Sequence, residues 1–247
     1  MNAMILAAGL GTRLRPLTDS IPKALVEVDG VPIIDRTAAK IVSEGARTLV
    51  INAHHRSSQL LSHIIERGGY GVRCCVSMEK ELLDTGGGIL RARPFLEGGG
   101  AFVVHNVDIL SNLSLEGLRA GAGNDSLACL AVSRRESSRK LLFDSTMRLV
   151  GWTDLRSGEV RSPFGHINPA ECSQFAFSGI HLISDKVFDV MDEFAFGGSF
   201  PIMDFYLTVA ARYRICGYVQ EGLRVLDIGK PEALAKAGEL LRDGFCE

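Results

Sequence analysis

The chain has 247 residues, with 27 Lys and Arg against 29 Asp and Glu and a formal net charge of −2. The two signs are intermixed, so no extended cationic surface for nucleic acid or an anionic membrane is implied, and the positive charge that matters is local. Apolar residues make up 46% of the chain, enough for one sizeable α/β core, and no apolar run approaches a membrane span.

The first strand is expected over residues 3–8, where Met4-Ile5-Leu6-Ala7-Ala8 reads as a buried strand of a parallel sheet. It empties into Gly9-Leu10-Gly11-Thr12-Arg13-Leu14-Arg15-Pro16-Leu17-Thr18, and Pro22-Lys23 follow. The glycines permit a tight turn that brings backbone N–H groups near a ligand. Arg13, Arg15 and Lys23 place three cations at the same mouth, which is how an α/β protein holds a polyphosphate. A dinucleotide fingerprint is disfavoured: its third glycine position holds Leu14, and Arg15-Pro16 opposes immediate helix entry. The phosphate loop G-x-x-x-x-G-K-[ST] does not occur at this site either.

Further strands are expected at 48–52, 71–77, 101–105 and 126–132, with helices at about 32–44, 57–68 and 86–94 between them. This alternation predicts a parallel sheet with helices on both faces and strand C-termini opening on one edge. The first loop, Asn52, an 84–88 loop and Asp108 all follow strand candidates and should converge there. From Ser133 to Ser173 the pattern weakens into short β-like pieces at 140–143 and 148–152, then a loop with Pro163, Gly165 and Pro169. This stretch reads as an insertion or extension over the ligand edge. A strand at 174–183 and helices at 185–193, 201–212 and 231–242 complete the chain, the last started by Pro231. A single domain over 1–247 is expected, with a nucleotide-binding half at 1–132 and an acceptor-binding half at 133–247.

Cys74, Cys75, Cys129, Cys172, Cys216 and Cys246 show neither a C-x-x-C pair nor the setting of a disulfide framework, and Cys74 and Cys129 read as core residues. His54, His55 and His63 lack the carboxylate spacing of a metal site and read as a polar helix start. The N-terminus lacks a leader pattern, so a cytoplasmic protein is expected.

The segment from Leu6 to Lys23, L-A-A-G-L-G-T-R-L-R-P-L-T-x-x-x-P-K, resembles the signature of the sugar-1-phosphate nucleotidyltransferases. Leu83-Asp84-Thr85-Gly86-Gly87-Gly88 looks like the nucleotide-base segment of that family. Its L-[DE]-T-G-G-G form is most similar to the N-acetylmuramate 1-phosphate uridylyltransferases of cell-wall recycling, and to related short enzymes. In motif order the resemblance runs from Met4 to about Leu241.

The resemblance implies a Rossmann-like three-layer α/β sandwich with a mostly parallel central sheet and a small sugar-binding insertion. It assigns nucleotide binding to Leu6, Ala8, Gly9, Gly11, Thr12, Arg13, Lys23, Thr85, Gly86 and Gly87. Lys23 would hold a nucleotide phosphate and Arg13 would face the phosphates that leave as pyrophosphate. Asp108, at the end of Phe102-Val103-Val104-His105-Asn106-Val107, and Asp227, in a segment similar to W-x-D-[VI]-G-T, would hold magnesium, which favours one or two carboxylates with phosphate oxygens. Asn106, and Gly179 in Phe177-Ser178-Gly179-Ile180, would meet the acceptor. A strand bulge is the plain alternative for Gly179. One of the clustered Arg134, Arg135 and Arg139 could meet the acceptor phosphate, although a solvated face is the favoured reading of that cluster. A helix containing Phe200 to Phe205 is expected to dock the core with little direct chemistry.

There are departures. Val107 stands where glycine is common and is expected to crowd the acceptor; Lys230 replaces a threonine, and Val225 and Leu226 also differ. The implied reaction joins a nucleoside triphosphate to a sugar 1-phosphate, UTP with N-acetylmuramate 1-phosphate being favoured, with Arg13, Lys23 and Asp108 as catalytic residues. The alternatives are mannose, heptose or glucose 1-phosphate or phosphocholine as acceptor, or a non-catalytic sensor. Only one helix fits beyond Asp227, so no large C-terminal extension is expected, which leaves a monomer or homodimer.

Overall fold

Alternation along the strands builds two cores, one on each face of a sheet. On β1 (Asn2–Leu6), Ala3 and Ile5 belong to one cluster of buried residues and Met4 to the other. On β6 (Phe102–Asn106), Val103 takes the first side while Phe102 and Val104 take the second. This is the period-two pattern of strands covered on both faces. The computed structural model describes residues 1–245; Cys246 lies outside the described residues.

Between β1 and β6 the chain forms a minimal hairpin of β2 (Glu27–Val28) and β3 (Val31–Pro32), then α1 (Ile33–Ser43), β4 (Thr48–Ala53), α2 (Ser57–Glu66) and β5 (Arg73–Met78). Two helices follow before β6, α3 (Asp84–Arg91) and the short α4 (Arg93–Leu96). After it come β7 (Ile109–Ser111), α5 (Leu115–Ala122), β8 (Ala128–Ser133), β9 (Arg139–Phe143), β10 (Leu149–Asp154) and β11 (Glu159–Arg161). The chain closes with β12 (Ser173–Ile183), α6 (Val187–Glu193), α7 (Ile202–Val209), β13 (Ile215–Tyr218), β14 (Val225–Asp227) and α8 (Pro231–Arg242).

β6, β1, β4 and β5 are parallel neighbours, as the strand–helix alternation of the first half requires. β12 then pairs antiparallel with β6, β8 and β9, and β9, β10 and β11 form an antiparallel meander on it. The residue stretch read as an extension is this meander. Buried residues of α1, α2, α5 and α8 cover the first face; those of α3, α6 and α7 cover the second, where Phe102 and Phe188 stack with centroids 5.8 Å apart. The result is a three-layer α/β sandwich.

Several elements were not visible in the sequence. α5 contains Gly117 and Gly121, which weaken a helix. A Cβ at either would sit 2.4 Å from the Tyr218 side chain, so close packing against β13 sets both positions. β7, β11 and β14 have three residues each, too few to show a period. The expected 84–88 loop is helical from Asp84 onward, and the helix expected over 201–212 ends at Val209.

Candidate active site

The first loop leaves β1 with its backbone unsatisfied. Asn52 Oδ1 accepts the Ala7 N–H at 2.6 Å, but the N–H groups of Ala8, Gly9, Leu10, Gly11 and Thr12 have no acceptor among the described residues. Gly11 has φ of 66°, and a Cβ there would lie 2.8 Å from Thr18 Cγ2 and 3.0 Å from Lys23 Cβ. Thr18 Oγ1 donates to the Gly11 carbonyl at 2.8 Å, which pins the turn. Gly9 is different: a Cβ there would meet nothing within 4 Å, so open space rather than packing surrounds it. Leu6 lies half-buried at the strand end, Ala8 is buried, and exposed Thr12 opens a single turn anchored by buried Leu14.

Two carboxylates meet beside this loop. β7 pairs antiparallel with β14, opposing Ile109 to Asp227, and the Ile228 N–H donates to the Asp108 carbonyl at 2.9 Å. Residues more than a hundred apart in sequence are thereby neighbours. Thr37 Oγ1 on α1 donates to the Val107 carbonyl at 3.1 Å, fixing the turn that presents Asp108. The Val107 side chain itself is 3% exposed within the first core, so it does not crowd the acceptor space as expected from sequence.

Lys23 Nζ forms an ion pair with Asp108 Oδ2, both side chains being largely buried. Arg13 bridges the acids, 3.8 Å from Asp108 Oδ2 and 3.9 Å from Asp227 Oδ2. All three groups look onto Gly229. A Cβ there would lie 2.6 Å from Asp108 Oδ2, 2.7 Å from Arg13 Nη2 and 2.9 Å from Asp227 Oδ1. The Gly229 N–H also donates to Asp227 Oδ1 at 2.9 Å. Gly229 was not among the residues singled out from the sequence, although the D-I-G segment that contains it was. Lys230, one residue on, is exposed and precedes α8.

The segment expected to meet the base is held by contacts that only glycine allows. The N–H groups of Gly86 and Gly87 both donate to the Phe200 carbonyl, at 2.9 and 3.3 Å. A Cβ on Gly86 would lie 2.2 Å from the Phe200 ring, and one on Gly87 2.2 Å from the Gly198 carbonyl oxygen. Thr85 Oγ1 accepts the Ile202 N–H at 2.9 Å. The segment around Phe200 therefore positions α3, a larger part than its sequence suggested, while Gly86 and Gly87 have their N–H groups committed to protein. Gly179 has φ of 75° at the register shift of β12, and a Cβ there would lie 2.9 Å from Asn106 Nδ2.

Two buried histidines stand behind the site. Burial holds His105 down to about 4, against a hydrogen bond donated to the Asn106 carbonyl that raises it. Burial likewise holds His181 down to about 3, with His105 adding to the shift. The Asn106 carbonyl can only accept, so His105 Nδ1 carries the proton of their 2.7 Å contact. His181 Nδ1 lies 2.8 Å from the Tyr206 hydroxyl.

Among the described residues no group of three or more His, Cys, Asp and Glu is arranged around a metal position. The Asp108–Asp227 pair brings two hard oxygen donors to one small space beside Gly229. No helix among the described residues is long and apolar enough to cross a membrane.

Residues 2–139 match the nucleotidyl transferase family. Over 239 residues the chain is 34% identical to an N-acetylmuramate α-1-phosphate uridylyltransferase of Caulobacter vibrioides, covering 94% of this chain and 93% of that one. It is 36% identical to the catalytic subunit beta of a mannose-1-phosphate guanylyltransferase of Xenopus tropicalis, over 47% of this chain and 33% of the other. Among solved structures, HddC of Yersinia pseudotuberculosis complexed with GMP-PN superposes with a TM-score of 0.75 at 22% identity, covering 97% and 99% of the two chains. A UDP-glucose pyrophosphorylase complexed with UDP-glucose does so with a TM-score of 0.77 at 17% identity, covering 98% of each chain. These structural likenesses establish the shared fold.

Proposed function

The chain belongs to the sugar-1-phosphate nucleotidyltransferases, and on that premise we propose that it joins UTP to N-acetylmuramate 1-phosphate with release of pyrophosphate. What carries the chemistry is the convergence of Arg13, Asp108 and Asp227 on Gly229, with Lys23 paired to Asp108, next to a loop of unsatisfied N–H groups. What supports the substrate pair is the Caulobacter relative, whose 34% identity extends over both halves of the chain, whereas the Xenopus likeness covers 47% of it.

A phosphate oxygen of the sugar 1-phosphate attacks the α-phosphorus of the triphosphate in line, and the bond to the β-phosphate bridge breaks. The nucleophile is an anion at neutral pH, so the step needs no general base. The task is to position two anions and to stabilise the charge that develops between them. The N–H groups of Ala8 to Thr12 point to the triphosphate, with Gly9 leaving room for it. Arg13 and Lys23, now paired with carboxylates, exchange those partners for phosphate oxygens. Lys23 then acts as a point charge and Arg13 as a planar donor for the leaving pyrophosphate.

Asp108 and Asp227 are the residues that would hold magnesium, which when bound supplies Lewis-acid polarisation of the phosphates. That role explains why two carboxylates stand at a site for polyanions, where they would otherwise repel the substrate. Thr85, Gly86 and Gly87 shape the base pocket through the fixed position of α3, and Asn106 and Gly179 form the near wall of the acceptor side. A cytoplasmic enzyme of nucleotide-sugar supply in cell-wall recycling fits these substrates.

The test is a pyrophosphate-release panel with magnesium, crossing UTP, CTP, GTP, ATP and dTTP with muramate, glucosamine, mannose, glucose and heptose 1-phosphates and with phosphocholine. The proposal expects the highest kcat/KM for UTP with N-acetylmuramate 1-phosphate. A higher value for any other pair refutes the substrate assignment.

A further inference from the structure

The acceptor half contains a cavity of about 530 Å³ whose lining is unusually cationic. Arg135, Arg139, Lys140 and Arg161 line it, and the two acids present, Glu159 and Asp204, leave two positive charges in excess. Trp152 and Phe177 add aromatic surface of the kind that packs on a sugar ring.

This cavity borders the Gly179–Asn106 contact on one side and the anchor of α3 on the other. Phe177 is two residues before Gly179, which abuts Asn106, so the wall lies about 7 Å along the strand from that contact. On the other side Pro201 lines the cavity between Phe200 and Ile202, the residues that anchor α3. A pyranose with its 1-phosphate at the reaction centre would carry a short ether-linked acid into this space.

The cations are not equally committed. Arg135 Nη2 donates to the Phe177 carbonyl at 2.9 Å, and Lys140 Nζ to the Arg135 carbonyl at 2.8 Å. Arg161 pairs with Asp204 at 2.8 Å. Among the described residues, the Arg139 guanidinium has no partner closer than Asp154 Oδ2 at 3.9 Å, and its side chain is 71% exposed. Burial first, and the charge of Arg135 second, hold the Lys140 ammonium below its ordinary value, as an excess of positive charge should.

We propose that this cavity selects acceptors bearing a second negative charge, with Arg139 and Arg161 binding a carboxylate on the sugar, Arg139 as the primary contact. The proposal rests on the acceptor assignment made above and adds which residues read the acid. It accounts for charge in a segment that otherwise reads as a solvated face.

The test compares kcat/KM of the full chain, at saturating UTP, for N-acetylmuramate 1-phosphate and N-acetylglucosamine 1-phosphate, which differ only in the lactyl ether. The same ratio is then taken for Arg139→Gln, Arg139→Lys and Arg161→Gln, with thermal unfolding as a check on each. The wild type should prefer the acid, and Arg139→Gln should lower that preference about ten- to a hundredfold, mainly through KM, as loss of a charged hydrogen bond does. Arg139→Lys should restore part of it. An unchanged ratio in both glutamine variants overturns the proposal while leaving the acceptor assignment standing. A wild type with no preference for the acid overturns the acceptor assignment and the proposal with it.

Discussion

The Asn52 side-chain amide donates to Glu79 Oε1 at 2.7 Å while its own oxygen accepts the Ala7 N–H at 2.6 Å. Glu79 Oε2 in turn accepts the Leu83 N–H at 3.2 Å. Both side chains are buried, so one polar bridge joins the start of the first loop to the start of α3. Gly88 makes room for it, since a Cβ there would lie 2.9 Å from each of the two side chains. Asn52→Ala strands a buried carboxylate and a buried N–H and should cost about 1–3 kcal/mol, read by urea unfolding. It should also raise KM for UTP. Wild-type stability and KM together would show that the bridge positions nothing.

Gly9 and Gly86 should respond to alanine in opposite ways. Gly86→Ala drives a methyl into the Phe200 ring and should destabilise the fold by about 1–3 kcal/mol, as overpacking does. Gly9→Ala meets open space and should leave the unfolding midpoint within experimental error, yet weaken triphosphate binding by filling the ligand's approach. Calorimetric binding of UTP alongside thermal melts separates the two effects. Equal losses of stability in both variants would contradict the assignment of Gly9 to the ligand side.

Lys23→Met leaves the largely buried Asp108 carboxylate with only the more distant Arg13, and should cost about 2–4 kcal/mol in the absence of substrate. Asp227→Asn removes a half-exposed charge and should leave folding nearly intact while lowering kcat by about a hundredfold or more. Its magnesium dependence should shift to higher concentration. A normal magnesium titration in Asp227→Asn would remove that carboxylate from the metal site.

The buried histidines set an acid limit. His105 and His181 have native values near 4 and 3, below the ordinary 6.5, so the unfolded chain binds more protons as pH falls below 6.5. Their contribution is therefore fully present above 6.5 and declines down to the native values, by an amount on the order of 3 kcal/mol for His105 and 5 kcal/mol for His181. Urea midpoints across pH 4–7 should show this limb. Replacing the His181–Tyr206 pair with an apolar one, His181→Leu with Tyr206→Phe, should flatten it. An equally steep limb in that double variant would place the titration elsewhere.

Much of the site was legible because its chemistry follows strands. The run Met4 to Ala8 and the run Phe102 to Val107 are apolar enough to be read as buried strands, and each delivers its loop to the same edge. The position of Asp227 beside Asp108 was inferred from motif likeness alone. Its physical cause is the pairing of β7 with β14, three residues each, which carries no periodic signal. Glu79 was not singled out because a lone glutamate after a strand looks like any solvated residue; only its burial and its two acceptor contacts reveal the bridge. Gly86 and Gly87 are expected from sequence to approach a nucleobase, and the structure adds a packing requirement for Gly86, Gly87 and Gly88 against Phe200, Gly198 and the Asn52–Glu79 pair that no local pattern shows.

The most direct test follows the α-phosphorus itself. The enzyme is given UTP labelled at the α-phosphate, N-acetylmuramate 1-phosphate and magnesium, and the products are separated in a single turnover. Label should appear only in the nucleotide-sugar, with unlabelled pyrophosphate in equal amount, and both should be lost almost completely in Asp108→Asn. Label released as UMP, or transfer undiminished in Asp108→Asn, would contradict nucleotidyl transfer at this site.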